Sequence, residues 1–380
     1  MRVALYLSEQ PPTVGGGYTF ESQILKVLLD SLAPSRHQFF LYSRSPFLGT
    51  DSIPATVPLI PLHTGPGSAG QPWTEAQILA SLQAHQIELI LSLAPRHLTL
   101  EIPFITIVWD LQHRLQPYFP EVSSGGEWEA RERFFAQLLA RAAYIITGTE
   151  VGKQEIERFY NIAPSRIQVI PAPTPPFVFH PSPQPEPILQ RHGVLGPYLF
   201  YPAQFWPHKN HVGALLALQI LREQYQLPLS LVFTGSDQGN LAFVQAQAAR
   251  LGLTEQVHFL GFIPQRDLVA LYQKAFALLF MTFFGPDNLP PLEAMALGCP
   301  VIASDVPGHR EQLAEAALLV DPKSPEAMTA AILKLWQDRS LRQTYIQRGW
   351  QRARQWTTQD YVQSLLALLD NFEAIRRCWP

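Results

Sequence analysis

Short apolar runs alternate with longer amphipathic stretches along the first half of the chain. The apolar runs predict β-strands at residues 3–7, 39–42, 89–91, 104–108, 144–147 and 168–170. The amphipathic stretches predict α-helices at residues 20–32, 74–84, 127–141 and 150–159. Strands that alternate with helices are typical of βαβ units, which build a parallel sheet covered by helices.

The same alternation resumes in the second half of the chain. It predicts strands at residues 198–201, 229–234, 258–260, 277–280, 301–303 and 317–320. The helices predicted between them span residues 211–224, 240–251, 266–275, 289–297 and 325–336. A last amphipathic stretch, residues 358–377, predicts one further helix. The pattern therefore predicts an α/β fold with two Rossmann-like domains.

A proline-rich segment separates the two halves, with eight prolines crowded into residues 171–187. Proline cannot donate the backbone hydrogen bond that a helix interior or a central strand needs, so we interpret this segment as a stiff, extended linker. The predicted domains are residues 1–180 and 181–357, followed by a C-terminal helix at residues 358–380. Two domains joined in this way face each other across a cleft, which is the expected ligand site.

Charge and cysteine content narrow the classes of function. Lys and Arg number 28 and Asp and Glu number 31, a formal net charge of −3. Proteins that coat nucleic acid need a basic excess, so no nucleic-acid partner is expected. The two cysteines, Cys299 and Cys378, form no CxxC pair, which favours a reducing compartment.

The apolar runs also bear on location. The first run is too short for a secretion signal, and residues 275–284 fall short of the ~20 residues needed to span a bilayer. We therefore expect a cytoplasmic protein. Five basic residues of the first half form either a solvated helix face or a surface for peripheral contact with the inner face of an anionic membrane: Arg131, Arg133, Arg141, Lys153 and Arg158.

Two candidate sites follow strands of the first half. Gly15, Gly16 and Gly17 lie between the first strand and the first helix, where glycines let the backbone approach a phosphate or a sugar. A flexible turn explains them equally well. Asp110 and His113 follow a buried strand and suit proton transfer or contact with sugar hydroxyls. The alternative is an Asp that caps a turn and a surface His.

Two further candidate sites follow strands of the second half. Lys209 lies in a loop ahead of a helix, where a cation and helix amides can bind a diphosphate, and Gln204 belongs to the same loop. A solvated loop lysine is the alternative. Gly235 and Ser236 end another strand, and their small side chains suit the close approach of a nucleotide or simply a turn.

The most informative segment is a loop that leads into a helix with prolines in its first turn. Asp287 and Asn288 precede Leu289 and Pro290, and we expect backbone N–H groups at this end to bind phosphate oxygens. Glu293 offers a carboxylate to ribose hydroxyls, although a glutamate also favours the helix dipole there. The sequence contains no Walker A, HExxH, GxSxG or DxD motif, so we expect neither a metal nor a cofactor.

These residues resemble a known family. Residues 289–304, LPPLEAMALGCPVIAS, are similar to the signature helix of retaining glycosyltransferases of family 4, which have the GT-B fold. Residues 305–311 and 317–322 match the continuation of that signature, and the segments around Lys209, Gly235 and Asp110 fall where the family has its own motifs.

The resemblance implies roles for individual residues. The second domain would bind a nucleotide sugar and the first its acceptor, with the last helix crossing back onto the first domain. Glu293 would hold the ribose, and Lys209 with the amides near Leu289 and Pro290 would hold the diphosphate. Gly16 and Gly17 would cradle the donor from the other side. Further donor contacts are expected from Gln204, Gly235, Ser236, Phe262, Ile263, Asp287 and Asn288.

The sequence departs from the family pattern at three positions. The family carries a glutamate eight residues before Glu293, where this chain has Gly285. Asp287 or backbone amides are the candidates to replace it. Gln204 stands in place of a phosphate-binding arginine, and Trp109 in place of a histidine.

The function implied is a retaining glycosyltransferase that needs no metal. It would move a hexose from GDP-mannose or a UDP-hexose to a saccharide or lipid-linked acceptor, with Asp110, His113 and Lys209 as catalytic candidates. One alternative is a catalytically degenerate relative that only binds a sugar nucleotide. Another is a GT-B epimerase or phosphorylase. The sequence leaves the donor, the acceptor, the linkage and the oligomeric state open.

Overall fold

A computed structural model describes residues 1–8, 15–32, 35–44, 53–62 and 73–379. The strands of this part of the chain are β1 (Arg2–Leu7), β2 (Gln38–Ser43), β3 (Leu59–Pro61), β4 (Leu89–Ser92), β5 (Phe104–Ile107), β6 (Tyr144–Thr147), β7 (Ile167–Val169), β8 (Tyr198–Pro202), β9 (Ser230–Thr234), β10 (Val257–Phe259), β11 (Ala277–Phe280), β12 (Val301–Ser304) and β13 (Ala317–Val320).

In the described part of the chain, the helices comprise the ten predicted ones, near their predicted positions, and five that were not predicted. They are α1 (Gly16–Asp30), α2 (Glu75–Ala84), α3 (Gln112–Leu115), α4 (Pro120–Ser123), α5 (Glu127–Arg141), α6 (Glu150–Tyr160), α7 (Glu186–Arg191), α8 (His211–Tyr225), α9 (Leu241–Arg250), α10 (Gln265–Lys274), α11 (Leu289–Ala296), α12 (His309–Leu313), α13 (Pro325–Gln337), α14 (Arg339–Arg354) and α15 (Thr358–Arg376).

The chain divides into two compact units. Unit 1 comprises Met1–Leu115, Gly125–Ala172 and Thr358–Pro380, and unit 2 comprises Gln116–Ser124 and Pro173–Thr357. The predicted boundary at residue 180 is therefore corrected to residues 172 and 173. The predicted assignment of all residues before 180 to one domain is also corrected, because Gln116–Ser124 packs within unit 2.

Unit 1 is built on a parallel sheet with the strand order β3-β2-β1-β4-β5-β6-β7. Strands such as β4 are buried along their whole length, as expected for a sheet covered on both faces. The strand order reverses between β1 and β4, which opens a crevice at their carboxyl ends. Strand β3 was not predicted, because its three residues are too short to form a pattern.

Unit 2 contains a second parallel sheet with the order β10-β9-β8-β11-β12-β13. Its core is formed by the buried faces of these strands and of the helices that cover them. The strand order reverses between β8 and β11. This reversal places the ligand crevice of unit 2 where those two strands end.

The proline-rich segment is not the extended linker that we predicted. Thr174 pairs with Thr357 in an isolated bridge, and Pro176–Phe179 forms a 3₁₀ turn whose Val178 is buried in the core of unit 2. Helix α7 begins at Glu186, near the end of the segment. Proline suits the first turn of a helix, where its missing N–H costs nothing. High proline density therefore excludes a long helix here, but it does not exclude packing.

Helix α14 was not predicted, because its sequence is mostly polar and only Ile346, Gly349 and Ala353 are buried. It packs against α11 and so supports the helix of the candidate site. Helix α15 belongs to unit 1 and packs against α1, with the Tyr361 and Phe20 rings in edge-to-face contact at 5.4 Å. Among the helices that the structure describes, none is both long and apolar enough to cross a membrane.

Candidate functional site

The crevice of unit 2 brings together two segments that the sequence singled out. Strand β8 leads into the loop that ends at Lys209, and β11 leads into the loop that precedes α11. The two strands are neighbours in the sheet, so their loops leave it side by side. The carboxyl ends of parallel strands at such a reversal are the usual ligand site of this architecture.

A hydrogen bond holds the backbone of Lys209 in place, and the surroundings of its side chain direct the ammonium group. Lys209 ends the 3₁₀ turn Pro207–Lys209, and its carbonyl accepts a hydrogen bond from the buried Tyr201 hydroxyl. The Nζ atom lies 5.4 Å from the centre of the Phe280 ring and 3.4 Å from Oδ1 of Asn288. The ammonium group is therefore aimed at the first turn of α11.

The residues after Lys209 have structural roles. Asn210 caps α8, because its Oδ1 accepts from the Gly213 N–H at 3.1 Å. The His211 ring is stacked between Tyr201 and Phe205, and burial lowers its pKa to about 3. His211 is thus a neutral core residue.

A short segment from the first half of the chain supports the Lys209 loop. Glu121 of α4 accepts hydrogen bonds from His208, at 2.6 Å from Nδ1 and 3.2 Å from the backbone N–H. Burial opposes ionisation of Glu121, but these hydrogen bonds outweigh it and lower its pKa. Phe119 stacks on Phe283, and the Gln116 side chain donates to the Phe283 carbonyl. No sequence pattern indicated these contacts, since their members are between 87 and 167 residues apart.

The first turn of α11 offers fewer amides than we predicted. The Asn288 N–H donates to Oε1 of Gln312 at 3.0 Å, so it is occupied within the protein. Pro290 and Pro291 have no N–H. Among residues 288–291, only Leu289 keeps an N–H without a partner in the described part of the chain. Of the amides predicted near Leu289 and Pro290, only that of Leu289 is therefore left to bind a phosphate.

The Asn288 side chain links Lys209 to a buried histidine. Its Nδ2 donates to the Gly285 carbonyl and to Nε2 of His309, each at 3.0 Å. His309 is fully buried, and its Nδ1 lies 2.7 Å from the Ser304 carbonyl. Sequence reasoning missed His309, because only the fold brings α12 beside the start of α11.

Glu293 lies on α11, almost wholly buried at 6% exposure. Its Oε2 accepts a hydrogen bond of 2.8 Å from the hydroxyl of Tyr272 on α10. Burial raises its pKa to about 7, although the Tyr272 hydrogen bond opposes that rise. Further hydrogen-bond donors would stabilise the charged form of this carboxylate, and ribose hydroxyls are donors of that kind.

Gly285 occupies the position where the resemblance leads one to expect glutamate. Its φ of +132° is one that side-chain-bearing residues rarely adopt, and a Cβ there would lie 2.6 Å from Nδ2 of Asn288. A glutamate therefore does not fit this loop unless Asn288 moves. The predicted substitute, Asp287, is half-buried in the same loop.

The remaining predicted donor contacts lie at the ends of β8, β9 and β10. Oε1 of Gln204 accepts from the Trp206 indole N–H at 3.0 Å. Gly235 lets two loops meet, since a Cβ there would lie 2.3 Å from the Ala203 carbonyl. The Ser236 carbonyl accepts from the Phe205 N–H at 3.0 Å.

One of these contacts needs correction. The Ile263 side chain is packed into the core of unit 2, at 9% exposure. It is therefore not available to flank a nucleotide base, contrary to the prediction. The neighbouring Phe262 is 54% exposed and is the better candidate for stacking on a base.

In unit 1, Asp110 lies just beyond the carboxyl end of β5. Its Oδ1 accepts from the Gln112 N–H at 3.0 Å, which fixes the turn into α3. The sequence did not point to Glu155 of α6, whose pKa is raised to about 7 by burial and by the charge of Asp110. Two acidic side chains thus share this part of unit 1.

His113 has a structural role, which contradicts its predicted catalytic one. Its ring is fully buried and stacked on Phe135 at 5.6 Å. Nε2 lies 3.2 Å from Oε2 of Glu132 and 3.1 Å from the Tyr160 hydroxyl. A ring enclosed in this way cannot reach a substrate. The position after a strand predicted exposure, whereas α3 turns the side chain inward.

Gly16 and Gly17 form the first turn of α1. Gly16 is exposed, and a Cβ added to it would meet nothing within 4 Å. Trp109, the third departure from the family pattern, packs edge-to-face on Phe20 of the same helix at 6.2 Å. Within the described part of the chain, no three His, Cys, Asp or Glu side chains are grouped to hold a metal ion.

Residues 192–352 match the family model described as glycosyl transferases group 1. Unit 2 contains a glycosyl transferases group 1 domain. The chain is 30% identical to O-antigen chain mannosyltransferase B of Escherichia coli over 60% of each chain. It is 28% identical to O-antigen chain mannosyltransferase RfbU of Salmonella typhimurium over 54% of each chain. These alignments span little more than half the length of those relatives.

Similar solved structures extend over both units of the chain. Sucrose-phosphate synthase from Thermosynechococcus elongatus has a TM-score of 0.77 at 18% identity, covering 98% of this chain and 99% of that one. Anabaena HepE in complex with UDP and glucose has a TM-score of 0.74 at 17% identity, covering 98% and 100%. The predicted GT-B architecture, two Rossmann-like units with parallel sheets, is confirmed.

Proposed function

We propose that the protein transfers a hexose from a nucleoside diphosphate sugar to a saccharide or lipid-linked acceptor, with retention of configuration and without a metal ion. The observation that carries this proposal is the arrangement of Lys209, Asn288 and Glu293 at the carboxyl ends of β8 and β11. It lies inside the domain that matches the glycosyl transferases group 1 model.

The arrangement suits the two halves of a nucleoside diphosphate. Lys209 and the Leu289 N–H would bind the diphosphate, since a cation and a helix N-terminus both favour anions. Glu293 would accept hydrogen bonds from the ribose hydroxyls. The distance between these groups is set by α11, which carries Leu289 and Glu293 one turn apart.

The chemistry follows from where charge develops. Cleavage of the sugar–phosphate bond leaves negative charge on the nucleoside diphosphate, which Lys209 would stabilise in the transition state. We propose that the acceptor hydroxyl attacks the anomeric carbon on the face from which the nucleoside diphosphate departs, and that its proton passes to the departing phosphate oxygen. In unit 1, Asp110 would contact the acceptor, and its charge adds to the effect of burial in raising the pKa of Glu155.

The relatives support a hexose donor. Two are O-antigen chain mannosyltransferases, and Anabaena HepE is solved with UDP and glucose. GDP-mannose and UDP-glucose are therefore the first donors to test.

The proposal is tested by thermal unfolding with UDP, GDP, ADP and their common sugar conjugates. A ligand that binds the folded state raises the melting temperature by mass action, by an amount that grows with its concentration over Kd. We expect one nucleotide family to stabilise the chain, and its sugar conjugate to yield a glycoside of retained configuration with EDTA present.

Other outcomes would select a different function. Stabilisation without transfer to any acceptor would indicate a binding relative. Conversion of the donor without an acceptor would indicate an epimerase, and a requirement for free phosphate and an oligosaccharide would indicate a phosphorylase. No stabilisation at millimolar nucleotide would contradict the assignment of the donor site.

Substitution of Gly285 tests whether backbone strain or steric overlap with Asn288 matters for nucleotide binding. We expect Gly285→Ala to lower the free energy of unfolding by about 1–3 kcal/mol and to weaken nucleotide binding, because its Cβ would displace Asn288. Gly239 also has a positive φ, +88°, but a Cβ there would meet nothing within 4 Å. Gly239→Ala should therefore affect stability alone. Equal nucleotide affinities in both variants would show that the overlap with Asn288 is unimportant.

A further inference from the structure

A buried hydrogen-bond chain lies behind Lys209, and its protons can be assigned from its partners. Nδ1 of His309 lies 2.7 Å from the Ser304 carbonyl oxygen, which can only accept. Nδ1 must therefore carry a hydrogen. A neutral imidazole has a single N–H, so Nε2 of His309 presents a lone pair.

That lone pair fixes the orientation of the Asn288 amide. Nδ2 of Asn288 lies 3.0 Å from Nε2 of His309 and 3.0 Å from the Gly285 carbonyl. Two acceptors face this atom, so it must be the NH₂ group. The amide oxygen is thereby turned toward Lys209, whose Nζ is 3.4 Å away.

The surroundings keep His309 neutral. Burial and, to a lesser extent, the charge of Lys209 lower the pKa of His309 to about 4, against the hydrogen bond to Ser304. Asp305 opposes this effect through its own charge, and it is paired with Arg310. At neutral pH the Nε2 lone pair is therefore available to Asn288.

We propose that His309 is a positioning residue of the donor site, which sets the place of the Lys209 ammonium group by fixing the Asn288 amide. The proposal rests on the proposed function, in which Lys209 binds the diphosphate. An amide suits this position better than a carboxylate would. A carboxylate at residue 288 would pair with Lys209 and reduce its attraction for phosphate, and it would also repel the His309 lone pair.

The test compares two variants, each of which keeps one of the two hydrogen bonds that the His309 ring makes. In His309→Asn the side-chain NH₂ falls near the former Nδ1 and keeps the bond to Ser304, but Asn288 loses its acceptor. In His309→Gln the longer side chain places an amide oxygen near the former Nε2, where it accepts from Asn288. We expect His309→Asn to raise the Kd for UDP or GDP, whichever binds the wild type, about tenfold. His309→Gln should stay within about twofold.

A second measurement distinguishes positioning from stability. The effect of His309→Asn on Kd should disappear in an Asn288→Ala background, because both changes break the same link. Melting temperatures of all variants report folding separately. Equal losses in the Asn and Gln variants, no loss in either, or additivity with Asn288→Ala would each overturn the proposal.

Lys209→Ala distinguishes the failure of this inference from that of the proposed function. If Lys209→Ala binds the nucleotide more weakly but His309→Asn binds it as tightly as the wild type, only the positioning role is overturned. Wild-type affinity in Lys209→Ala, or no binding of UDP or GDP to the wild type, would overturn the donor site and the inference with it.

Discussion

Lys209→Ala is expected to lower kcat/KM for the nucleotide sugar by about 1.5–3 kcal/mol, roughly 10- to 150-fold. The ammonium group lies 3.4 Å from Asn288 at the start of α11, where the diphosphate would bind. Its loss would remove a charge-assisted hydrogen bond to a group that becomes more negative as the sugar leaves. The loss should therefore exceed what ground-state binding alone would cause, and kcat should fall as well as KM rise.

Lys274→Ala is the matched control for this prediction. Lys274 is on the same unit, but its side chain is 41% exposed and its ammonium group pairs with the exposed Glu186. Its removal should leave kcat/KM unchanged, because exposed ion pairs contribute little. Steady-state kinetics with saturating acceptor check both variants. A Lys209→Ala enzyme with unchanged kinetics and an unchanged melting temperature would contradict the donor-site assignment.

The fold was predictable because its strands are buried in parallel sheets. Strands such as β4, β11 and β12 are continuous apolar runs, which a chain-local pattern reveals directly. Helix α14 could not be predicted in this way, because its sequence is mostly polar and its buried face is narrow. No local sequence pattern indicated that Gln116–Ser124 belongs to unit 2. Elements with a strong pattern of their own were found, and those defined by tertiary packing were not.

The residues of the candidate site also divide into those that their position in the sequence predicts and those that only the fold brings together. Lys209 and Glu293 follow strand ends and helix starts, so their chemistry could be predicted from position. Their partners could not: Tyr272 is 21 residues from Glu293, and His309 is 21 residues from Asn288. His113 shows the converse error, in which a position after a strand suggested exposure but the fold buries the ring.

The three departures from the family pattern each have a local partner in the structure. Gly285 accepts a hydrogen bond from Asn288, Gln204 accepts one from Trp206, and Trp109 packs on Phe20. The fold therefore accommodates each of the three residues that depart from the family pattern. Transfer of a sugar from donor to acceptor is the measurement that separates an active site from a degenerate one.

Glu293→Gln is expected to weaken donor binding and to stabilise the protein. The amide keeps an oxygen that can accept from Tyr272, but it accepts ribose hydroxyls less strongly than a carboxylate. We expect Kd for the nucleotide to rise by about 10- to 100-fold, the range of a charge-assisted hydrogen bond. Glu255, an exposed residue of the same unit, is the matched control. Glu255→Gln should leave both Kd and the melting temperature unchanged.

The stability effect follows from the pKa of Glu293, raised from 4.5 to about 7 by burial. Between these pH values the folded state keeps a proton that the unfolded chain releases, so this group's contribution to stability falls as pH rises. Above pH 7 the carboxylate is ionised in both states, and the full cost of burying its charge remains, about 3 kcal/mol at most. Glutamine carries no such cost.

The difference in unfolding free energy between Glu293→Gln and the wild type should therefore grow from pH 4.5 to 7 and level off above it. Denaturant unfolding at pH 5, 6, 7 and 8 without nucleotide measures this difference directly. Saturating nucleotide should narrow this difference at pH 8 by about 1.4–2.7 kcal/mol, the equivalent of the 10- to 100-fold difference in Kd, because bound ribose supplies further donors to Glu293. A variant that is less stable than the wild type at pH 8, with unchanged nucleotide affinity, would show that Glu293 serves the core and not the ligand.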